Sequence, residues 1–257
     1  MRFASLASGS RGNCLVAEAG GTRLLLDCGL SPRETERRLA RLGIDPAGLS
    51  AVLVTHEHED HVGGAFAFAA AHSLALYLTR GTLRAAADAG KAVQGVRTEL
   101  VDGRSAFAVG ALEVRPYTVP HDAREPVQYV LSDGAWSLGV LTDIGAPTPH
   151  VIEMLSGCDA LVLECNHDRA MLWDGGYPHW LKQRIGGPLG HLDNDQAAGL
   201  LGALERSRLQ HVIGAHLSQQ NNRPALARAA LARALGCSED WIGLATQDEG
   251  FGWRELR

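Results

Sequence analysis

In the stretch Val52-Leu-Val-Thr-His56-Glu-His58-Glu-Asp60-His61-Val-Gly-Gly64, three imidazoles and Asp60 fall within six residues, directly after an apolar, β-branched run. The run reads as a buried strand, so the polar cluster sits at a strand tip. If the chain stays extended past that tip, alternate residues point the same way and His56 and His58 can share one metal ion. Asp60 and His61 then face elsewhere and would serve a second ion. Neutral imidazole and carboxylate suit zinc and related divalent ions, and no cysteine lies nearby to suggest a closed structural site. The competing reading is a solvated acidic loop whose histidines cap the following helix.

The rest of the chain is that of a globular protein. At 257 residues it can bury a sizeable core, and its apolar fraction of 46% and charged fraction of 21% are ordinary. No apolar run approaches the roughly 20 residues of a membrane span. The amino terminus is broken by glycine too early for a signal peptide, so a cytoplasmic protein is expected. Cys14, Cys28, Cys158, Cys165 and Cys237 form no C-x-x-C pair and read as reduced thiols. The net charge of −5 argues against a general basic surface that coats nucleic acid, but not against local grip on phosphate through metals.

Strands are expected at 2–7, 14–19 and 22–27. Ser8-Gly-Ser10-Arg11-Gly-Asn13 between the first two is either a tight connection or a seat for phosphate, built from free N–H groups, hydroxyls and Arg11. Ser31-Pro32-Arg33-Glu34 reads as a capping box starting a helix that runs to about Leu42. A helix is expected from Val62 to His72, a strand from Ala75 to Thr79 and a short helix from Leu83 to Ala89. Further strands are expected at 97–101, 105–109 and 112–122, the last ending in Pro120-His121-Asp122. A hairpin follows, turning at Asp133-Gly134 and ending at Asp143. Asp159–Glu164 is a buried strand leading to Cys165-Asn166-His167-Asp168, a polar tip suited to substrate contact or ligand support. Trp173–Pro178 reads as a turn. Helices are expected at 180–185, 195–205 (capped by Asn194) and 222–235. A short strand from His211 ends in His216, and a final strand is expected at 241–246. No linker or repeat interrupts the chain, so one domain, residues 1–257, is expected.

His56-x-His58-x-Asp60-His61 after an apolar strand resembles the signature of the metallo-β-lactamase fold, a family of mostly dinuclear metallohydrolases. The resemblance implies a four-layer αββα sandwich, two mixed β-sheets flanked by helices, with ligands on loops at one edge. It implies that His56, His58 and His121 hold one metal, that Asp60, His61 and His216 hold the other, and that Asp143 bridges them. Asp27, in Asp27-Cys-Gly29, would hold the histidine loop by hydrogen bonds. Aspartate rather than cysteine at the bridging position points away from a β-lactamase, and intact His56 and His58 point away from an oxygen-reducing di-iron relative. The motifs Ala-Ser-Gly-Ser10-x-Gly-Asn13, His121-Asp-Ala, Glu164-x-Asn166-His167-Asp, Gly190-His191-Leu and Ala215-His216-Leu-Ser resemble more narrowly the YycJ (WalJ) family. Where that family carries Gly-His-Leu-Ser-Asn, this chain has Asp193 in place of the serine.

That resemblance implies a 5′-to-3′ exonuclease acting on DNA, with RNA the less favoured substrate. The cofactor expected is two divalent ions, zinc first and manganese second. Two such ions, two aspartates and a hydroxide leave about one positive charge, which favours an anionic substrate. Hydroxide formed from water on the metals is the expected nucleophile, with Asp60 part of the catalytic centre. His167 or His191 would contact the phosphate or protonate the leaving oxygen, with Ser10, Asn13 and Asn166 as further substrate contacts. A thioester or lactone hydrolase is the alternative. It predicts an apolar-walled pocket, where a nuclease needs an open groove rimmed by Arg or Lys. The sequence leaves oligomeric state open.

Overall fold

The computed structural model describes residues 1–257. The first half builds one sheet. Antiparallel β1 (Arg2–Ala7), β2 (Cys14–Ala19) and β3 (Thr22–Leu26) are followed by α1 (Pro32–Arg41), β4 (Ala51–Leu53), α2 (Glu59–Val62), α3 (Ala65–Ala71), β5 (Ala75–Thr79), α4 (Arg80–Asp88) and β6 (Thr98–Val101). The strands β3, β4, β5 and β6 run parallel, as crossover helices require. The second half repeats the plan with β7 (Phe107–Val109), β8 (Leu112–Thr118), β9 (Val127–Ser132), β10 (Ser137–Leu141), α5 (Pro149–Leu155) and β11 (Ala160–Glu164). After α6 (Arg169–Asp174), α7 (His179–Ile185) and α8 (Asn194–Ala203) come β12 (His211–Ala215), α9 (Pro224–Leu235), β13 (Gly243–Leu244) and β14 (Phe251–Glu255). The sheet orders are β14-β1-β2-β3-β4-β5-β6 and β13-β12-β11-β10-β9-β8-β7, seven strands each.

Side-chain alternation along the strands divides the interior into layers. In β4, Ala51 and Leu53 face the other sheet, while Val52 and the following Val54 face the helices α1 and α3. In β11, Ala160 and Val162 enter the space between the sheets, and Leu161 and Leu163 meet α5, α8 and α9. Both faces of these strands are buried, which explains why they read as continuous apolar runs. The result is the expected αββα sandwich. No helix is long and apolar enough to cross a membrane. All five cysteines are free thiols.

Several local expectations fail, for identifiable reasons. The helix expected from Val62 to His72 is two helices, and the first begins earlier, at Glu59. The break falls at Gly63-Gly64, where a Cβ on Gly64 would collide with the carbonyl oxygen of Leu30. Ser31 caps α1 by accepting from the Glu34 amide, but Glu34 does not complete the box, because its carboxylate binds Arg37 and Arg38 instead. The turn expected at 173–178 begins inside α6, a helix capped by Asp168 that the sequence did not suggest. Asp193 rather than Asn194 caps α8, in a capping box with Gln196, so the carboxylate fills the capping role open to a serine. The strand expected at 241–246 shrinks to β13, and the last strand is β14, which pairs antiparallel with β1.

Candidate metal centre

Strand direction gathers the chemistry at one edge. The strands β10, β11 and β12 are mutually parallel, and β8 runs the same way because β9 is antiparallel to both of its neighbours. His121, Asp143, Glu164 and His216 therefore leave the carboxyl ends of four strands at the same rim. On the facing sheet, parallel β3 and β4 bring Asp27 and the His56 loop to that rim. His191 comes from the loop before α8.

The loop after β4 is extended only through His58. That residue caps α2, which places Asp60 and His61 in the first helical turn and swings His61 back beside His56, ring centroids 4.2 Å apart. The expectation that His61 faces away from the first pair is thus corrected, because a helical turn replaces the extended continuation, whereas Asp60 groups with His61 and His216. His56 Nε2 and His58 Nδ1 stand 3.0 Å apart, and His121 Nε2 is 3.2 Å from the same His58 nitrogen. Asp60 Oδ2 lies 3.2 Å from His216 Nε2 and 3.4 Å from His61 Nε2. Asp143 Oδ2 lies 3.0 Å from His61 Nε2, between the two groups. In each of the triads His56–His58–His121, Asp60–His61–His216 and His56–His61–Asp143, the potential ligand atoms lie within 4.8 Å of one another.

These donors suit divalent cations. Asp143 Oδ2 is buried, and with the His61 proton held on Nδ1 by Asp27 its 3.0 Å neighbour His61 Nε2 has none to give, so the oxygen lacks a donor, a loss of about 1–3 kcal/mol or more for a charged group unless something else satisfies it. Three ring nitrogens converging at about 3 Å cannot all be satisfied by the protons they carry. A cation among them answers both problems.

Surrounding groups hold each ring in one orientation. Asp27 Oδ2 takes the Nδ1 proton of His61 at 2.7 Å, while its Oδ1 accepts from the Thr55 amide and hydroxyl. The Thr55 hydroxyl is also 3.0 Å from His56 Nδ1. Glu164, wholly buried, accepts from His191 Nδ1 (2.7 Å) and His216 Nδ1 (3.3 Å) through Oε1, and from the Ile144 and Leu192 amides through Oε2. Two residues of the centre adopt left-handed backbone, Asp27 at φ 58° and His216 at φ 54°, at roughly 1–2 kcal/mol each. His216 is pinned there by its amide donating to Ser8 Oγ and its carbonyl accepting from Asn166 Nδ2.

Electrostatics follow from this enclosure. Burial alone would neutralise Asp143 and Asp60, but His216 and His61 beside Asp143, and His61 and His216 beside Asp60, hold both carboxyls below their usual range. Burial drives His56 below the usual histidine value. For His216 burial acts the same way, yet Asp143 and the hydrogen bonds to Asp60 and Glu164 outweigh it and push the ring up to about 10. His191 is raised against its burial by Glu164, whereas His167 is lowered by burial.

A cleft of about 340 Å³ opens over the cluster. Ser10, Asn166 and His191 line it. Asn13 does not. Its side chain donates to Asp60 and accepts from the Gly9 amide, so it ties the glycine-rich turn to the histidine loop. His167 is 2% exposed, bonded to Asn166 Oδ1, and also away from the cleft. Arg11 turns outward to Asp248. The other spare histidines serve locally: His72 pairs with Glu36 and His211 meets the Glu255 carbonyl. Glu164 and Thr55 escaped sequence reasoning as supports. Their signals were an acid ending a wholly apolar strand and a hydroxyl directly before His56.

A four-layer sandwich with a His/Asp cluster at its strand ends defines a hydrolase of the metallo-β-lactamase fold. The chain belongs to the β-lactamase superfamily, whose domain model matches residues 22–213. It is 33% identical to an exodeoxyribonuclease YycJ of Bacillus anthracis, over 98% of this chain and 91% of that protein. It is 31% identical to an exodeoxyribonuclease WalJ of Streptococcus pneumoniae, over 95% and 91%. Among solved structures, the metallo-β-lactamase fold protein YhfI of Bacillus subtilis superposes with a TM-score of 0.77 over 99% of both chains at 15% identity, a likeness of fold alone.

Proposed function

We propose that this chain is a dinuclear, zinc-dependent phosphodiesterase that degrades DNA from its 5′ end in the cytoplasm, with manganese as the alternative metal and residues 1–257 acting as one domain. The observation that carries the reading is the buried, unpartnered Asp143 oxygen between two histidine groups, at the floor of a polar cleft. The two relatives named exodeoxyribonucleases, aligned over nearly the whole chain, support DNA over other anions. His56, His58 and His121 would hold one cation, Asp60, His61 and His216 the other, and Asp143 would face both. When bound, the cations would supply Lewis acidity to a phosphate oxygen and lower the pKa of water towards neutrality.

The protein's own groups do the positioning. Asp27 keeps the His61 proton on Nδ1 and frees Nε2 for a ligand role, and Glu164 does the same for His216. Glu164 also commits His191 Nδ1, so that ring meets the cleft through Nε2, and its raised pKa favours the protonated form that can donate to the leaving oxygen. His191 is therefore preferred to His167 as the proton donor. Ser10 and Asn166 are left as polar contacts at the rim. The cleft's polar lining, with Arg184 at its edge, disfavours the thioester or lactone hydrolase.

Assays of the protein with zinc or manganese on bis-p-nitrophenyl phosphate, 5′-phosphorylated DNA, RNA and a lactone panel separate these activities. Turnover of the phosphodiesters, lost in Asp60→Ala, is expected. Lactone turnover without phosphodiesterase activity would refute the reading.

A further inference from the structure

Four carboxylates line the metal cleft, those of Glu59, Asp60, Asp122 and Asp143. Asp60 and Asp143 belong to the converging triads, and Glu59 is held by Lys91. Asp122 is left, directly after a candidate ligand in His121-Asp122-Ala123. Its oxygens face two ways. Oδ2 accepts from Arg184 Nε at 2.6 Å, while Oδ1 lies 3.7 Å from His58 Nε2 and 3.5 Å from His121 Nε2. The backbone beneath it is fixed, because the Asp122 amide donates to the Leu189 carbonyl and His121 Nδ1 to that of Gly190.

The histidines show what such a carboxylate can do. A ring that ligates through one nitrogen needs an acceptor for the proton on the other, and that acceptor sets both the tautomer and the ring orientation. At Nδ1, His56 has the Thr55 hydroxyl (3.0 Å), His61 has Asp27 (2.7 Å), His121 has the Gly190 carbonyl (3.0 Å) and His216 has Glu164 (3.3 Å). His58 is turned the other way. Its Nδ1 is the atom that converges with His56 Nε2 and His121 Nε2, so a ligating His58 carries its proton on Nε2. Asp122 Oδ1 faces that nitrogen from just beyond hydrogen-bond reach. His58 is also the one ring of the five with freedom to move, its side chain 28% exposed where the other four residues are buried. An approach of less than about 1 Å makes the bond.

We propose that Asp122 is the positioning residue for His58. Its Oδ1 takes the Nε2 proton and keeps Nδ1 aimed at the site shared with His56 and His121, while Arg184 engages the other oxygen. The proposal rests on the two-cation reading and gives the fifth ring the support the other four have. Asp122 acts through His58 and joins none of the triads itself. Its influence therefore falls on the His56, His58 and His121 site and spares the site of Asp60, His61 and His216.

The test titrates metal-free wild type, Asp122→Ala, Asp122→Asn and Arg184→Gln with zinc against a chromophoric chelator. Nitrogen–proton NMR of zinc-loaded protein carrying isotope-labelled histidine reads the His58 Nε2 proton and its exchange with water. Asp122→Ala is expected to weaken one zinc site about 10–100-fold and leave the other within about twofold, and Asp122→Asn, whose oxygen still accepts, to recover most of the loss. The Nε2 proton is expected to be protected in the wild type and in Asp122→Asn, and Arg184→Gln to bind zinc as the wild type does. Two wild-type sites undiminished in Asp122→Ala would show that water serves the ring and overturn the proposal. A loss in Arg184→Gln equal to that in Asp122→Ala would assign the effect to the ion pair, and Asp122→Asn as weak as Asp122→Ala would make Asp122 a ligand; either overturns it. A His58 Nε2 proton that exchanges in the wild type as fast as that of free imidazole overturns it even if Asp122→Ala fails to fold. A wild type that takes up no zinc or manganese would overturn the two-cation reading as well.

Discussion

Replacing Glu164 by glutamine isolates what one buried carboxylate does for the candidate metal centre. The glutamate accepts four hydrogen bonds, two from imidazole Nδ1 atoms and two from backbone amides. Glutamine has the same shape but one acceptor end and one donor end. The backbone amides cannot change, so the side-chain oxygen must stay with Ile144 and Leu192 and the NH2 must face His191 and His216. Each ring then avoids a donor–donor clash by moving its proton from Nδ1 to Nε2, the nitrogen that faces the cluster. Two charge-assisted bonds worth about 1.5–3 kcal/mol each become neutral ones worth about 1 kcal/mol, a net loss on the order of 2 kcal/mol. For a chain of this length that lowers Tm by roughly 4–8 °C. His216 also loses the carboxylate that holds its remaining proton on Nδ1 once a cation takes Nε2, so cation affinity falls about 10–100-fold. Chelator competition and thermal melts with and without EDTA measure the two effects. If Glu164→Gln binds cations within twofold of wild type and melts within about 1 °C, with the ~2 kcal/mol estimate as reference, the tautomer argument is wrong.

Gly29→Ala places a Cβ inside the van der Waals radius of the Asp60 carbonyl oxygen, so the histidine loop must shift. Overpacking of this kind costs about 1–3 kcal/mol, and weaker cation binding should accompany a lower Tm, whereas Gly21→Ala, with open space around it but a φ of 81°, should lower Tm and leave cation binding intact. The raised His216 pKa makes two pH statements. Without cations, its stabilising contribution is complete below the ordinary histidine value and is lost as pH rises towards about 10, so the EDTA-treated protein should melt lower across that window. With cations, the same proton must leave, so loading should release protons and tighten as pH rises, as calorimetry in two buffers of different ionisation enthalpy will show. Affinity that does not change with pH would contradict both.

The candidate centre was legible largely because its ligands sit where a sequence can be read. His56, His121, Asp143 and His216 each follow an apolar run, and parallel strands bring their carboxyl ends together whatever the details of packing. Some misses were local choices between neighbouring caps, as at Asp193 and Asn194, but others depend on distant parts of the chain. Whether the chain after His58 stays extended or turns helical is settled by Cys28, whose amide donates to the His61 carbonyl, and by Gly29 and Leu30 crowding the Gly63-Gly64 break. The strand β14 exists because β1 offers it an edge, which nothing in 251–255 announces.

The presence of most strands, the two-faced burial of β4 and β11 and the residue types available to a metal are thus properties of the sequence alone, because periodicity and residue chemistry are local. Which imidazole nitrogen is free, which carboxylate oxygen is orphaned, and that His191 rather than His167 reaches the cleft were decided by tertiary structure. Those outcomes turn on hydrogen bonds between residues up to about two hundred positions apart, as between Ser8 and His216, and no local pattern encodes them.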